Sequence, residues 1–299
     1  MNILITGAWN DAKDHLTGIE EMGHEVLFLQ YEKDELPCSE DWAEGVICNG
    51  LFLYHPIEKF TNLRYIQLTS AGYDRVPIDY IKEHNITIYN ARGVYSIPMA
   101  EFAVSSVLQL YKQSSFFHEN QKQKKWIKNR DLKELYGKNV CIIGCGSVGT
   151  ECAKRFKAFG TKVIGIDQYP YKNDEFDQMY NINEINDVIP TADIIILTLP
   201  LTNETRHLIN EERLSLLKDE AVLINISRGA VIDTDALIRV LTNKNIYAVL
   251  DVFEKEPLPE DHPLWNQENV VFTPHNSFVG EHNNQRLSNL IIKNLSNSI

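Results

Sequence analysis

Short apolar runs rich in β-branched residues, separated by stretches of helical periodicity, divide the chain into two α/β series. The first holds NILIT, EVLFL, GVIC, RYIQL and ITIY, between residue 1 and about residue 94. These runs are continuous rather than alternating, as strands are when both faces of a parallel sheet are covered. They predict a flavodoxin-like domain. After Gly137 the alternation resumes with NVCII, KVIGI, DIIILTL, AVLINI, YAVLDV and VVFTP. Six such strands predict a doubly wound parallel sheet. Between the series, Met99, Phe102, Ala103, Val107 and Leu110 fall at helical spacing, with Pro98 tolerated in the first turn. This reads as a helix connecting two domains. Toward the end of the chain, Leu287, Leu290, Ile291 and Leu295 share one face of a helix that should return to the first domain. The expected division is therefore 1–94 with 279–299, and 95–278, hinged near Tyr95 and Val279.

The loop after NVCII carries GCGSVG. Gly144 permits a tight turn, Gly146 lets a pyrophosphate approach the backbone, and Gly149 lets the following helix pack closely on its strand. The helix predicted over residues 148–159 then presents its N-terminus, with Ser147 and Val148, to the phosphates. Asp167 lies roughly twenty residues beyond the glycines, at the end of the next strand, where a ribose-binding carboxylate belongs. A carboxylate there accepts hydrogen bonds from both ribose hydroxyls, whereas a 2′-phosphate meets like-charge repulsion of about 1 kcal/mol or more. The predicted cofactor is NAD rather than NADP, although Lys162 and Lys172 lie near enough in sequence to soften the preference.

Composition narrows the partners. Over 299 residues, 29 basic side chains stand against 41 acidic ones, a formal charge of -12. This opposes general attraction to nucleic acid or anionic lipid. The basic run QKQKKWIKNR, with Trp126, has no surrounding aromatic ladder and reads as a solvated face or subunit contact. The first apolar run is too short for a signal-peptide core, and no apolar run reaches the length of about 18 residues that spans a membrane. A cytoplasmic protein without nucleic-acid or membrane partners is expected. Five cysteines without C-x-x-C pairing are expected as reduced, packed thiols, and no metal is expected.

In open parallel sheets ligands sit beyond the carboxyl ends of the strands. Three residues so placed form a chemical set: Arg228 in NISRGA, Glu256 in DVFEKEPLP and His275 in FTPHNS. Taken singly, they read as a surface ion pair, a solvated carboxylate and a hydrogen-bonded loop histidine. Together, beside a dinucleotide, they match hydride transfer to a 2-keto acid. Arg228 offers a planar fork to the substrate carboxylate. His275 exchanges a proton near neutrality, and Glu256 favours its imidazolium and fixes its orientation.

The chain resembles the D-isomer-specific 2-hydroxyacid dehydrogenase family over nearly its full length. The resemblance rests on LTSAGYDRVP, NARGVYSIPMAEF, GCGSVG, LTLPLTNETRHLIN, INISRGAVID, LDVFEKEPLP and TPH, in the family's order. It implies that Arg228 grips the substrate carboxylate, that Glu256 supports His275, and that His275 is the acid/base. It further implies that backbone amides around Ala71 and Gly72 bind substrate, that Pro200, Thr205, Ser227 and Asp251 line the cofactor site, and that the protein is a homodimer joined through the cofactor domain. Asn276, Ser277 and Phe278 depart from the small residues that often follow the family's histidine, which bears on substrate size. Glutamate at position 256 argues against the formate dehydrogenase branch. The chain is short for the family, so no C-terminal regulatory extension is expected. The alternative function is an NAD-sensing, corepressor-like binding protein on the same fold. A hydrolase or lyase retaining NAD is a further rival, but its expected insertions are missing.

Overall fold

The computed structural model describes residues 1–298. They form two compact units, one made of Met1–Tyr95 with the segment from Gly280 onward, the other of Ser96–Val279.

In the first unit, β1 (Asn2–Thr6), β2 (Glu25–Leu29), β3 (Gly45–Cys48), β4 (Tyr65–Leu68) and β5 (Thr87–Tyr89) pair in parallel in the order β2-β1-β3-β4-β5. This is the flavodoxin-like arrangement. Successive side chains of a strand point to opposite faces. Accordingly Ile3 and Ile5 join one core, with Trp9, Ile19, Ile47 and Tyr65, while Leu4 joins the other, with Val46, Ile66, Leu68 and Ile81. The helix Asn283–Ser296 closes the first of these cores with Leu287, Ile291 and Leu295, so the tail does return to the first series. Two buried polar contacts fix its register: Trp9 Nε1 donates to Ser288 Oγ at 2.9 Å, and Asn294 Nδ2 donates to Gln67 Oε1 at 2.8 Å.

The second unit has seven parallel strands: β6 (Asn139–Ile143), β7 (Lys162–Asp167), β8 (Gln178–Asn181), β9 (Ile194–Leu197), β10 (Val222–Asn225), β11 (Tyr247–Leu250) and β12 (Val270–Phe272). Their order is β12-β11-β10-β9-β6-β7-β8, the doubly wound pattern that reverses between β6 and β9. One strand more is present than the six expected. The addition, β8, is an edge strand of sequence QMYN that pairs only with β7 and is nowhere fully buried, so it carries no apolar run to announce it.

The expected connector helix spans Ser96–Tyr111 and opens the second unit. Ala100, Ala103, Val104 and Val107 lie in one core with Cys152, Ala153 and Phe156 of the helix Ser147–Ala158, their small side chains bringing the two helices close. The basic run starts in the helix Ser114–Lys122 and continues beyond it, where Trp126 is 95% exposed. All five cysteines are free, four of them buried, and burial pushes the Cys141 and Cys152 thiols up to about 12. They pack as small apolar groups. No helix among the described residues is long and apolar enough to cross a membrane.

Candidate active site

The turn from β6 into the helix Ser147–Ala158 has the geometry its glycines predict. Gly144 has φ +96, and a Cβ there would lie 2.9 Å from the Thr198 carbonyl carbon. A Cβ on Gly149 would collide with the Gly144 carbonyl oxygen, so only glycine lets the helix seat this close to the turn. Gly146, at φ -73 and ψ -155, has a backbone open to any residue. Without a side chain, its peptide is left open to close approach. The first amides of a helix have no partner within it, so those of Ser147 and Val148 suit an anion.

Asp167 ends β7 beside this turn. Its Oδ2 accepts the Cys145 N–H at 2.8 Å and its Oδ1 accepts the Tyr169 N–H at 3.1 Å. A carboxylate has about four acceptor positions, so each oxygen retains capacity for a ribose hydroxyl. A close-approach turn, an amide-bearing helix end and an adjacent carboxylate together fit an adenine dinucleotide.

The other predicted cofactor contacts are placed differently. The Thr205 hydroxyl donates to the Pro200 carbonyl at 2.7 Å and receives the Thr202 N–H at 2.7 Å, closing the loop after β9 on itself. Ser227 is buried, and its hydroxyl donates to Asn225 Oδ1 at 2.8 Å. Asp251, fully buried, accepts the Thr273 hydroxyl at 2.6 Å, the Asn276 N–H at 2.7 Å and the Ser277 N–H at 3.0 Å. Its carboxylate thus holds the histidine-bearing loop in place.

That loop follows β12. The His275 N–H donates to the Asp251 carbonyl at 2.8 Å, and the residue sits in the left-handed region at φ +51. The imidazole Nδ1 lies 2.8 Å from Glu256 Oε2, while Glu256 Oε1 accepts the Phe253 N–H at 3.0 Å. With a carboxylate at Nδ1, the proton is assigned to that nitrogen, which leaves Nε2 as the second ring nitrogen. The two side chains are 40% and 37% exposed, enough to be reached by a small molecule. The Phe278 ring meets the imidazole edge-on, with centroids 5.9 Å apart.

Arg228 follows β10 in a turn organised by the buried Asn225, whose Nδ2 donates to the Arg228 carbonyl at 2.9 Å. The guanidinium Nη1 donates to the Ser227 carbonyl at 2.8 Å. The next residue, Gly229, is pressed onto the Phe253–Glu254 peptide: a Cβ there would collide with the Phe253 carbonyl carbon. This contact puts the arginine turn against the segment that carries Glu256. Gly229→Ala should therefore force the two segments apart and lower stability by about 1–3 kcal/mol. Urea unfolding of the variant measures this, and an unchanged midpoint would refute the close contact.

The same segment holds a second pair that the sequence did not reveal. Glu254 Oε2 lies 3.1 Å from His207 Nε2, and its Oε1 accepts the Thr234 N–H at 3.1 Å. Partial burial works against the charge of Glu254, but the hydrogen bonds from Thr234 and His207 outweigh it and hold its carboxyl below the usual range. The pair ties the loop after β9 to the Glu256 segment. Nothing but the E-K-E spacing in DVFEKEPLP hinted at it.

Ala71 and Gly72 lie in the first unit, beyond the carboxyl end of β4. The Ala71 carbonyl accepts Asn90 Nδ2 at 2.7 Å, and the Gly72 carbonyl accepts the Ser70 hydroxyl at 3.1 Å. In the same unit Glu32 gathers the neighbouring strand ends, accepting the Thr6 hydroxyl at 2.9 Å and the amides of Asn49 and Gly50 at 2.6 and 2.7 Å. Among the described residues no group of three or more His, Cys, Asp or Glu side chains is placed to hold a metal ion.

The chain is similar to known proteins over most of its length. Residues 104–277 match the profile of the D-isomer specific 2-hydroxyacid dehydrogenase NAD binding domain. The chain is 35% identical to a D-3-phosphoglycerate dehydrogenase of Methanocaldococcus jannaschii over 92% of its own length and 53% of that protein's. It is also 35% identical to a glyoxylate reductase of Thermofilum pendens, over 78% of this chain and 71% of the relative. Among solved structures, a D-lactate dehydrogenase of Aquifex aeolicus, crystallised with NAD and lactic acid, superposes with a TM-score of 0.80 at 26% identity, covering 99% of this chain and 94% of that one. The chain belongs to the D-isomer specific 2-hydroxyacid dehydrogenases, and its second unit contains that family's NAD-binding domain.

Proposed function

We propose that the protein is an NAD-dependent oxidoreductase that interconverts a 2-keto acid and a D-2-hydroxy acid. The observation that carries this reading is the 2.8 Å contact between His275 Nδ1 and Glu256 Oε2, with Glu256 itself anchored on the Phe253 amide. A histidine oriented in this way serves proton transfer and has no evident use in a protein that only senses the cofactor. NADH, when bound, supplies the hydride. Gly144, Gly146, Ser147, Val148 and Gly149 admit its pyrophosphate, and Asp167 takes the adenosine ribose. Pro200, Thr205, Ser227 and Asp251 shape the remainder of the cofactor surface, largely through backbone. Arg228 receives the substrate carboxylate as a two-pronged donor. His275 Nε2 protonates the carbonyl oxygen during reduction and retrieves that proton in the reverse direction. Glu256 holds the ring in place through Nδ1. Backbone amides at Ala71 and Gly72 of the first unit are further candidate donors to the substrate.

Phe278, edge-on to the catalytic ring, supports a compact acid over one with a bulky side chain. The protein works as a cytoplasmic homodimer joined through the cofactor unit, for which the exposed Trp126 segment is a natural contact. The test is loss of nicotinamide absorbance with glyoxylate, hydroxypyruvate, pyruvate, branched and aromatic keto acids, and phosphohydroxypyruvate, each with NADH and with NADPH. Turnover of a small 2-keto acid with NADH is expected. NADH binding without turnover of any of these acids would replace the enzyme by a cofactor-sensing regulator.

A further inference from the structure

The glycine turn is gripped from two sides. The Cys145 N–H, between Gly144 and Gly146, is given to Asp167, and the Cys145 carbonyl accepts the Tyr171 hydroxyl at 2.6 Å. Tyr171 belongs to the loop after β7, four residues beyond the ribose-binding carboxylate. Asn173 braces it: its Nδ2 lies 3.2 Å from the Tyr171 hydroxyl and 3.4 Å from Thr150 Oγ1, on the first turn of the helix Ser147–Ala158. The far end of the loop is fastened as well, Lys157 Nζ donating to the Asp174 carbonyl at 2.7 Å and pairing with Asp177 at 3.3 Å.

We propose that Tyr171 is a specificity-determining residue for the nicotinamide cofactor: its hydroxyl locks this loop onto the glycine turn, so that the loop cannot open for a ribose 2′-phosphate.

A phosphate at that position needs a cation, and the helix beside the turn offers none uncommitted. Lys154 and Arg155 are paired with Glu151, Arg155 also with Glu101, and Lys157 with Asp177. The loop itself carries Lys172, flanked by Tyr171 and Asn173, along with the acidic Asp174 and Glu175. Lys172 sits between the two tethered residues, so its backbone cannot shift toward a 2′-phosphate while the Tyr171 and Asn173 bonds hold. Selectivity for NAD thus has two parts, the repulsive Asp167 carboxylate and the clamp that withholds the compensating lysine. This inference rests on Asp167 as the ribose ligand.

The experiment is titration of nicotinamide fluorescence with NADH and NADPH, for the wild type, Tyr171→Phe and Asn173→Ala, independent of any substrate. Loss of one hydrogen bond predicts that the NADH-over-NADPH affinity ratio falls by about fivefold in Tyr171→Phe. Asn173→Ala moves it the same way and serves if the first variant does not fold. A variant that is merely less stable weakens both cofactors alike, and an unchanged ratio overturns the proposal. A wild-type ratio near unity overturns the Asp167 reading together with it, whereas a selective wild type with equally selective variants removes Tyr171 alone.

Discussion

His275→Asn is expected to lower the turnover of keto-acid reduction by about a thousandfold, the middle of the range for loss of a positioned acid. Asparagine is the informative replacement because His275 occupies the left-handed backbone region at φ +51, which asparagine tolerates better than most residues. The loop held by Asp251 should then keep its shape, and NADH affinity measured by fluorescence should stay at the wild-type value. What is lost is the proton. Reduction consumes one, and asparagine cannot supply it. Oxidation of the hydroxy acid should fall as well, since the same ring has to take the proton back. If wild type and variant show similar turnover, His275 is not the acid and the contact with Glu256 serves only to fix the loop.

Parts of this site were legible in the sequence because backbone geometry or chemistry dictates the residue type. Gly144 and Gly149 could be read because one needs a positive φ and the other a backbone contact that no Cβ permits. Arg228, Glu256 and His275 could be read because few residues hold a carboxylate or move a proton, and all three follow parallel strands. The strand β8 escaped because an edge strand of mixed sequence, QMYN, lacks the apolar run by which buried strands announce themselves. Asp251 was expected to line the cofactor site, but its hold on Thr273, Asn276 and Ser277 was not legible, because these donors lie more than twenty positions away and only the β11–β12 pairing brings them to it. The His207–Glu254 pair and the Tyr171 clamp escaped for the same reason. Each joins ordinary polar residues on separate loops, and only tertiary placement gives them a function.

The second large effect is expected at Arg228. Replacement by glutamine should reduce kcat/KM for the keto acid by about a hundredfold, since hydrogen bonds between charged groups contribute about 1.5–3 kcal/mol each and 2.7 kcal/mol corresponds to a factor of roughly one hundred. One guanidinium nitrogen is held by the Ser227 carbonyl, which orients the plane of the group. Lysine keeps the charge but loses both this tether and the fork that matches a carboxylate. Arg228→Lys should therefore recover only part of the loss, and the deficit should lie mainly in KM for the keto acid while NADH affinity is retained. That pattern separates substrate binding from proton transfer, because His275→Asn depresses turnover instead. Were Arg228→Gln to leave kcat/KM within a few-fold of the wild type, the carboxylate would have to be held elsewhere. The close packing of Gly229 on the Phe253–Glu254 peptide would then be a structural joint between two turns rather than the means of placing a guanidinium next to the proton donor.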